Sequence, residues 1–555
     1  MDRIWLKNYP KDVPADIDWT QYSSLVQLLD EAFAKYRDRN AYVCFGKTIT
    51  FGEIDEQSKR FAAWLQSKGL AKGDRVAIML PNLLQYPIAL AGVLRAGLTV
   101  VNVNPLYKAR ELEHQLKDSG ARAIVILENF APTLQQVVAR TQIEHVVVCA
   151  FGDLMAVGSP PLPDLALPDV IRLNAMLDQG ARLPFTQVSL GADDVAFLQY
   201  TGGTTGLSKG ATLLHKNLIA NVLQSEAWMQ PALTNPKKGP PPEQLNFVCA
   251  LPLYHVFAMT VCCLLGMRVG GFNILISNPR DQAALIKEIR PYTVHTFPGV
   301  NTLYNALANN AEFRALDWSG LRVSNGGGMA VQRAVAELWL EVTGCPICEG
   351  YGLSETSPSA TCNPTDTDEY NGTIGLPMSS TEIAILDGDC NPVPVGERGE
   401  IAIRGPQVMA GYWQQPAETA NVMTAEGFFK SGDIGVMDER GYVRIVDRKK
   451  DMILVSGFNV YPNEVEDVVA SCPGVLECAA IGVPDRNSSE AVKVFVVRKP
   501  DAVVSERDII EYAAKHLTGY KKPKVVEFRA ELPKTNVGKV LRRELRDEEL
   551  RKLAA

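Results

Sequence analysis

The sequence lacks the features that mark nucleic-acid-binding, secreted and zinc-binding proteins. Its 56 Lys and Arg residues are outnumbered by 63 Asp and Glu residues, and the net charge of −7 predicts no nucleic-acid partner. Residues 1–7 contain no apolar run of signal-peptide length. The 11 cysteines show no paired framework, and Cys345 and Cys348 lack the second pair of ligands that a zinc site needs. We therefore expect a cytoplasmic protein with buried thiols.

One stretch, 245–267, is nearly all apolar and long enough to span a bilayer. It contains Pro252 and His255 near its middle, and a break and an ionisable group would strongly destabilise a lipid-facing helix. The pattern instead predicts a buried strand, a turn and a buried helix. A peripheral contact with the cytoplasmic face of the inner membrane stays open.

The chain has 555 residues, of which 46% are hydrophobic and 21% charged, enough for a large core divided among several domain-sized units. Helical and strand-like patterns alternate over the first 190 residues, which is typical of α/β layering. They predict helices over 51–68 and 86–95 and strands over 75–80, 99–103, 123–127, 146–149 and 195–200.

The chain changes character after the charged run 447–451. The last 100 or so residues, about the size of one small domain, alternate short predicted strands (452–455, 478–483, 491–497) with predicted helices (463–470, 506–516). We predict domains over 1–446 and 447–555, with the charged run either a hinge near Lys450 or a solvated turn.

Two segments, 153–168 and 231–244, are rich in proline, glycine and small residues. Such composition predicts mobile surface loops. For 231–244, which carries five prolines and the pair Lys237 and Lys238, the alternative is a flap near a ligand entry or a membrane contact.

The segment 200–210 has the composition of a polyphosphate-binding loop. It follows a predicted strand, and its glycines allow backbone N–H groups to surround phosphate oxygens. It is not a Walker A loop, because Ser208 precedes Lys209 and Gly210 follows it. A flexible hairpin turn is the alternative. The candidate phosphate-binding residues are Tyr200, Thr201, Gly202, Gly203, Thr204, Thr205, Gly206 and Lys209.

This loop and the motifs that follow it resemble the adenylate-forming superfamily, which includes acyl-CoA synthetases, firefly-type luciferases and peptide-synthetase adenylation domains. The matches run over nearly the whole chain, at 251–255 (LPLYH), 325–329 (NGGGM), 349–356 (EGYGLSET), 430–433 (KSGD), 447–464 and 533–539 (PKTNVGK). Within the superfamily, segments 102–107, 446–462 and 517–521 are most similar to bacterial long-chain acyl-CoA synthetases.

The resemblance implies a large N-terminal domain of stacked sheets and helices, and a small mobile α+β C-terminal domain. It implies that ATP activates a long- or medium-chain fatty acid as an acyl-adenylate, which coenzyme A converts to acyl-CoA with release of AMP and pyrophosphate. Aryl or short-chain acid ligases, and ligases that serve a carrier protein, are alternatives within the superfamily, and a non-catalytic acyl or nucleotide binder is an alternative outside it. The oligomeric state is not fixed by the sequence, and a homodimer is one possibility.

The resemblance gives Lys539 the role of bridging the substrate carboxylate and the α-phosphate, as the transition state gathers negative charge. Without the other motifs, Lys539 would read as a surface lysine in a basic tail. Glu355 is the expected Mg²⁺ ligand, with Thr201 or Ser354 assisting, because a hard cation prefers oxygen ligands.

The nucleotide is expected to lie against the other motifs. Tyr351 offers a ring for adenine, and the backbones of Gly327, Gly328, Gly350 and Gly352 line the same region. Asp433 is expected to accept hydrogen bonds from the ribose hydroxyls, and Arg448 to donate to them.

Three residues are expected to serve the thioester step. His255 matches a position between the acyl pocket and the coenzyme A tunnel, although a lone apolar-flanked histidine is more often a core residue. A tryptophan gate found four positions later in some long-chain enzymes is Met259 here. Lys450 matches the hinge position of the family, and Gly457 matches the residue beside the pantetheine path, where a side chain would block the tunnel.

Overall fold

The computed structural model describes residues 2–155, 165–201, 208–456, 458–485, 488–535 and 538–554. No helix among these residues is both long and apolar enough to cross a membrane. The α-helices are α1 (Leu25–Lys35), α2 (Phe51–Ser67), α3 (Gln85–Arg95), α4 (Ala109–Ser119), α5 (Ala131–Gln135), α6 (Leu173–Gly180), α7 (His215–Leu233), α8 (Val256–Ala258), α9 (Leu265–Arg268), α10 (Gln282–Ile289), α11 (Asn301–Ala308), α12 (Ala311–Arg314), α13 (Arg333–Thr343), α14 (Pro416–Val422), α15 (Pro462–Ala470), α16 (Glu506–His516) and α17 (Arg542–Ala554).

The strands are β1 (Asn40–Cys44), β2 (Lys47–Thr50), β3 (Arg75–Met79), β4 (Thr99–Asn102), β5 (Ala123–Leu127), β6 (His145–Cys149), β7 (Val170–Arg172), β8 (Val195–Tyr200), β9 (Gly210–Leu214), β10 (Asn246–Cys249), β11 (Phe272–Leu275), β12 (Ser324–Gly326), β13 (Ile347–Gly352), β14 (Ser359–Cys362), β15 (Leu376–Pro377), β16 (Glu382–Leu386), β17 (Arg398–Arg404), β18 (Gly411–Tyr412), β19 (Phe429–Met437), β20 (Val443–Arg448), β21 (Ile453–Val455), β22 (Phe458–Val460), β23 (Val475–Asp485), β24 (Ser489–Arg498) and β25 (Val525–Phe528).

The largest sheet has eight strands in the order β18-β9-β8-β4-β3-β5-β6-β7. Its pairs from β8 to β7 are parallel, and β9 and β18 add an antiparallel edge. In β3, Val76 and Ile78 enter one hydrophobic core while Ala77 and Met79 enter another. The sheet is thus buried on both faces, which explains why its strands are continuous apolar runs.

The rest of the large domain contains three four-stranded sheets, with the orders β10-β11-β1-β2, β12-β13-β14-β15 and β16-β17-β19-β20. Single bridges from Thr296 to Phe247 and Val323 join the first of these sheets to the second. The glycine-rich end of β12 and the end of β13 therefore open onto the same side of the domain.

The C-terminal part has its own sheet, β22-β21-β24-β23, with β25 added parallel to β24. One face packs on α15 and α16, and the other carries Leu532 and Leu545. Strand β20 pairs with β19 as far as Arg448, and the predicted division at 446/447 falls inside it. The predicted α/β class is confirmed, and the domain boundary stays a prediction.

Most predicted elements are present with shifts of a few residues at their ends. The stretch 245–267 forms strand β10, a turn and one buried helix, in which a π-helical segment (Met259–Leu264) separates α8 from α9. The predicted loop 231–244 starts too early, because α7 continues through Leu233 with Pro231 in its last turn. Arg322 holds the rest of this segment by donating to the carbonyl oxygens of Leu233, Lys238 and Pro240.

Candidate active site

A cleft of about 2760 Å³ lies between the large sheets and the C-terminal part of the chain. It brings together 15 of the residues predicted from the sequence, which are Tyr200, Thr201, Lys209, His255, Gly327, Gly328, Gly350, Tyr351, Gly352, Ser354, Glu355, Asp433, Arg448, Lys450 and Lys539. The remaining candidates, Gly202, Gly203, Thr204, Thr205, Gly206 and Gly457, lie outside the described residues.

Lys539 reaches the cleft from a tight turn of the C-terminal part. The N–H of Thr535 donates to the carbonyl of Lys539, and the N–H of Lys539 donates to the hydroxyl of Thr535 at 3.1 Å. Burial and the nearby cation Arg448 together lower the pKa of Lys539 to about 7, while the charge of Asp433 opposes this shift. Its ammonium forms no ion pair within the described part of the chain. It is a desolvated cation that an anionic ligand would stabilise.

The C-terminal part contacts helix α11 where Lys539 enters. The hydroxyl of Thr302 donates to the carbonyl of Gly538 at 3.3 Å. The side-chain amide of Asn305, one turn further along the helix, donates to the carbonyl of Leu476 at 3.0 Å. These contacts hold the turn against the large domain in the orientation that places Lys539 in the cleft.

Glu355 is a buried carboxylate at the base of the cleft, in the short 3₁₀ turn that follows β13. Burial raises its pKa, and the hydroxyl of Tyr412 donates to Oε1 at 2.7 Å. Lys209 lies 4.9 Å from the centre of the Tyr412 ring and pairs with Glu418. Since a carboxylate offers about four lone-pair sites, Glu355 keeps acceptor capacity for a cation.

Asp433 and Arg448 face each other across strands β19 and β20. The Nε of Arg448 lies 3.2 Å from Oδ1 of Asp433, and the hydroxyl of Tyr351 donates to Oδ2 at 2.6 Å. Burial and the Asp433 charge raise the pKa of Tyr351 well above its usual value, so the hydroxyl keeps its proton. The pair presents fixed acceptors and donors beside the glycine strands.

His255 caps the helix that follows the turn 251–255, where its Nδ1 accepts the N–H of Phe257. Burial, helped by the charge of Lys539, lowers the pKa of His255 to about 4, so the ring is neutral at pH 7. Met259 begins the π-helical segment, and its sulfur accepts a hydrogen bond from Asn102 at 3.2 Å. Apolar side chains of Trp228, Phe247 and Val261 line the same cleft.

The base of the glycine-rich loop is closed by backbone contacts. The N–H of Thr201 donates to the carbonyl of Lys209, and the hydroxyl of Ser208 donates to the carbonyl of Thr201. The hydroxyl of Tyr200 donates to Asp118 at 2.6 Å, so it is already engaged by the protein. Thr201 lines the cleft within reach of a ligand held there.

Sequence reasoning missed several residues of the site. Tyr412 and Thr302 contact the predicted residues but carry no local motif, and the contact between Glu349 and Tyr370 joins residues 21 positions apart. Arg542, which no motif singles out, forms a buried cluster with the carboxylates of Asp447, Asp451 and Glu466. Cys345 and Cys348 are buried as predicted, and no group of three or more His, Cys, Asp or Glu residues in the described ranges forms a metal cluster.

Family models match most of the chain: the AMP-binding enzyme model matches residues 29–413, and the AMP-binding enzyme C-terminal domain model matches residues 464–539. The long-chain-fatty-acid–CoA ligase of Escherichia coli O6:H1 (strain CFT073) is 52% identical over 99% of this chain and 98% of its own. That of Haemophilus influenzae is 48% identical over 100% and 99%. The solved structure of the anthranilate CoA ligase AuaEII with anthranoyl-AMP aligns at 25% identity with a TM-score of 0.87, covering 97% of this chain and 100% of that chain. The fold, the order of the motifs and these matches together establish that the chain belongs to the AMP-binding enzyme family.

Proposed function

We propose that the cleft activates a long- or medium-chain fatty acid with ATP and transfers the acyl group to coenzyme A, with Lys539 as the residue that assists adenylation. The activity is that of a long-chain-fatty-acid–CoA ligase, as in the relatives that share about half of its residues over nearly the full length. The observation that carries the assignment of Lys539 is its desolvated ammonium, which enters the cleft beside Asp433 and Arg448.

In the first step a carboxylate oxygen of the fatty acid attacks the α-phosphorus of ATP, the bond to the β-phosphate oxygen breaks, and pyrophosphate leaves. Negative charge gathers on the α-phosphate oxygens as this happens. Lys539 bridges the carboxylate and the α-phosphate, and its poor solvation strengthens the interaction. Thr201, Lys209 and the loop residues Gly202, Gly203, Thr204, Thr205 and Gly206 hold the outgoing phosphates.

Glu355 is suited to hold Mg²⁺, with Thr201 or Ser354 assisting. Its carboxylate is buried, lines the cleft and accepts a hydrogen bond from Tyr412, and a carboxylate has further lone pairs for a cation. When bound, Mg²⁺ would neutralise charge on the phosphate oxygens. A cation would also favour the ionised form of Glu355, whose pKa is raised by burial.

The nucleoside lies against β12, β13 and β19. Asp433 accepts hydrogen bonds from the ribose hydroxyls while Arg448 orients its carboxylate, and the ring of Tyr351 stacks on adenine. The absence of side chains lets the nucleoside approach the backbone closely at four glycines, Gly327, Gly328, Gly350 and Gly352. A β-carbon on Gly352 would stand 1.8 Å from the carbonyl oxygen of Pro358, so the packing of the fold also requires glycine at this position.

In the second step the C-terminal domain (447–555) rotates about Lys450, which removes Lys539 and admits the thiol of coenzyme A. The thiol gives up its proton to solvent, its sulfur attacks the acyl carbon, the bond from that carbon to the phosphate oxygen breaks, and AMP leaves with the bonding electrons. The family resemblance assigns Gly457 to the pantetheine path, and His255, neutral at pH 7, positions the acyl group between its pocket and the thiol path.

Aryl or short-chain acids and transfer to a carrier protein are the alternatives. The apolar side chains of Trp228, Phe247 and Val261 along the cleft favour a fatty acyl chain. Pyrophosphate release should be measured with a panel of fatty and aryl acids, followed by assay of acyl-CoA. Release with aryl acids alone, or release without acyl-CoA, would favour the alternatives, and no release with any acid would reject the enzyme.

Lys539→Ala separates the two steps. It should abolish adenylation and largely spare thioester formation from supplied acyl-AMP, whereas equal loss of both steps would make the lysine structural. Gly457→Leu should do the reverse, blocking thioester formation and sparing pyrophosphate exchange.

We also place the protein in the cytoplasm. Lys237 and its neighbours in 231–244 are the proposed surface for peripheral membrane contact, which vesicle co-sedimentation tests. A homodimer is a further proposal, which native mass spectrometry tests.

A further inference from the structure

A carboxyl group that the reaction does not use lies behind the nucleotide side of the cleft. Glu349 is on β13, only 6% exposed, and its register partner on β12 is Gly326. The N–H of Val331 donates to Oε1 of Glu349 at 3.1 Å, and the hydroxyl oxygen of Tyr370 lies 3.2 Å from Oε2. The same hydroxyl donates to the carbonyl of Val331 at 2.6 Å.

Counting protons shows how these contacts are made. The Tyr370 hydroxyl has one proton, and the 2.6 Å contact directs it to the carbonyl of Val331. The contact with Oε2 of Glu349 is then satisfied when the carboxyl group carries a proton and donates it to Tyr370. Three hydrogen bonds close a ring: Val331 N–H to Glu349, Glu349 O–H to Tyr370, and Tyr370 O–H to Val331. Each of the three donors has one acceptor.

The ring fixes the segment between β12 and α13. Gly326, Gly327, Gly328 and Val331 all line the cleft, and the far end of the segment is held by Asn301, which accepts the N–H of Gln332 at 2.9 Å. The segment lies next to Gly350, because a β-carbon on Gly327 would stand 3.4 Å from the carbonyl oxygen of Gly350, and a shift of the segment would change the space beside Gly350.

We infer that Glu349 is a positioning residue whose neutral carboxyl group closes this ring and holds the segment 327–332 in place for nucleotide binding. The inference rests on the proposed nucleotide site. Burial raises the pKa of Glu349 to about 8, in keeping with a neutral group at pH 7. Above this pH the carboxylate loses its proton and competes with the carbonyl of Val331 for the single proton of the Tyr370 hydroxyl, so one of these two acceptors is left without a donor.

Other titratable groups near the ring lie on β13, β14, α13 and α15. Tyr370 keeps its proton, since burial raises its pKa, and Asp467 on α15 acts in the same direction. Arg333 on α13 lies 5.7 Å from the centre of the Tyr370 ring. Cys348 on β13 and Cys362 on β14 are neutral thiols with pKa values raised by burial. Glu349 is therefore the group of this set that changes charge near pH 8.

Glu349→Gln and Glu349→Ala form a matched pair. Glutamine keeps an oxygen for the Val331 N–H and an N–H for the Tyr370 oxygen, so it should keep KM for ATP within about twofold. Alanine leaves the partners unpaired and should raise KM for ATP on the order of tenfold, with kcat changed less. An unchanged KM in Glu349→Ala would overturn the inference.

A pH series tests the proton itself. ATP affinity, measured in proteins that also carry Lys539→Ala so that this second group does not titrate, should weaken above pH 8 with Glu349 and stay level with Glu349→Gln. The same alkaline loss in both proteins would reject the neutral carboxyl group.

Thermal unfolding gives a readout that does not depend on activity. The pKa of Glu349 is higher in the folded chain than in the unfolded chain, where it is near its ordinary value of about 4.3. The stabilisation is therefore complete below that value and is lost as pH rises through about 8. The melting temperature of the wild type relative to Glu349→Gln should fall over this range and level off above it. A melting-temperature difference that stays constant with pH would reject the ring, whether or not the protein adenylates any acid. Failure of adenylation alone would not change this melting result.

Discussion

The hydroxyl oxygen of Thr302 lies 2.5 Å from the point where a β-carbon on Gly538 would stand. Gly538 has φ +83°, a conformation that L side chains rarely adopt, and it immediately precedes Lys539. The turn that delivers the lysine therefore needs glycine for two separate reasons: its own backbone conformation and its close approach to helix α11.

Gly538→Ala should impair adenylation about tenfold or more, because left-handed backbone costs about 1–2 kcal/mol and the methyl group also meets Thr302. Pyrophosphate exchange measures the first step, and acyl-CoA formation from supplied acyl-AMP measures the second, which should change little. Thr302→Ala removes the nearest atom and leaves the residue's Cβ 3.8 Å away. The double variant should recover the steric part of the loss, and a normal exchange rate in Gly538→Ala alone would contradict the docking role.

The adenylation step should lose efficiency as pH rises through about 7. Burial lowers the pKa of Lys539 to about this value, so the free enzyme holds a cation below it and a neutral amine above it. The fall in rate should appear as an alkaline limb in the pH profile of kcat/KM for ATP. In the profile of kcat this limb should move to higher pH, because bound phosphates favour the cation. Lys539→Arg, which stays charged, should adenylate more slowly but lack the limb. An identical limb in both proteins would assign it to another group.

Removal of divalent cations with a chelator should abolish adenylation, and Mg²⁺ should restore it. Glu355→Gln should lower the rate on the order of 10²–10³-fold and raise the Mg²⁺ concentration needed for half-maximal rate. Tyr412→Phe keeps the ring and removes the donor to Glu355, so its effect should be smaller. Glu382→Gln, a carboxylate paired with Arg404 away from the cleft, is the control. Unchanged Mg²⁺ dependence in Glu355→Gln would leave the cation without its proposed ligand.

Residues with a local signal were predictable, and residues defined by distant contacts were not. The apolar run of β3 predicted a buried strand because its two faces enter two cores. Glu355, Asp433 and Lys539 stood in motifs, whereas Tyr412 reaches Glu355 across 57 positions and Thr302 reaches Gly538 across 236. Nothing near Tyr412 or Thr302 in the sequence indicates those partners.

The misplaced start of the loop 231–244 has a similar cause. Proline normally interrupts a helix interior, so the sequence predicts a boundary at Pro231. In the structure it occupies the last turn of α7, buried with Ala232 and Leu233, and tertiary packing continues the helix for two more residues. The anchoring of the following backbone by Arg322 has no signature in the local sequence.

The two half-reactions should also be separable at the hinge, because Asp447 and Asp451 lie on opposite sides of Lys450 and share Arg542. Asp447, at the end of β20, is fully buried and accepts the N–H of Asn463 at 2.8 Å, so it stabilises the start of α15 across the proposed hinge. Asp451 contacts Arg542 and Arg546 on α17, which would move with it.

Asp447→Asn should therefore weaken the orientation that places Lys539 in the cleft. Pyrophosphate exchange should fall several-fold or more, since a charge paired with buried Arg542 is lost, while acyl-CoA formation from supplied acyl-AMP should not. Asp451→Asn is the matched control: it removes a carboxylate from the same cluster and should lower the melting temperature, but it should leave the ratio of the two rates unchanged. If both variants changed the ratio of pyrophosphate exchange to acyl-CoA formation equally, Asp447 would act only through the stability of the small domain. The contacts of Asp447 would then not change when the domain rotates about Lys450.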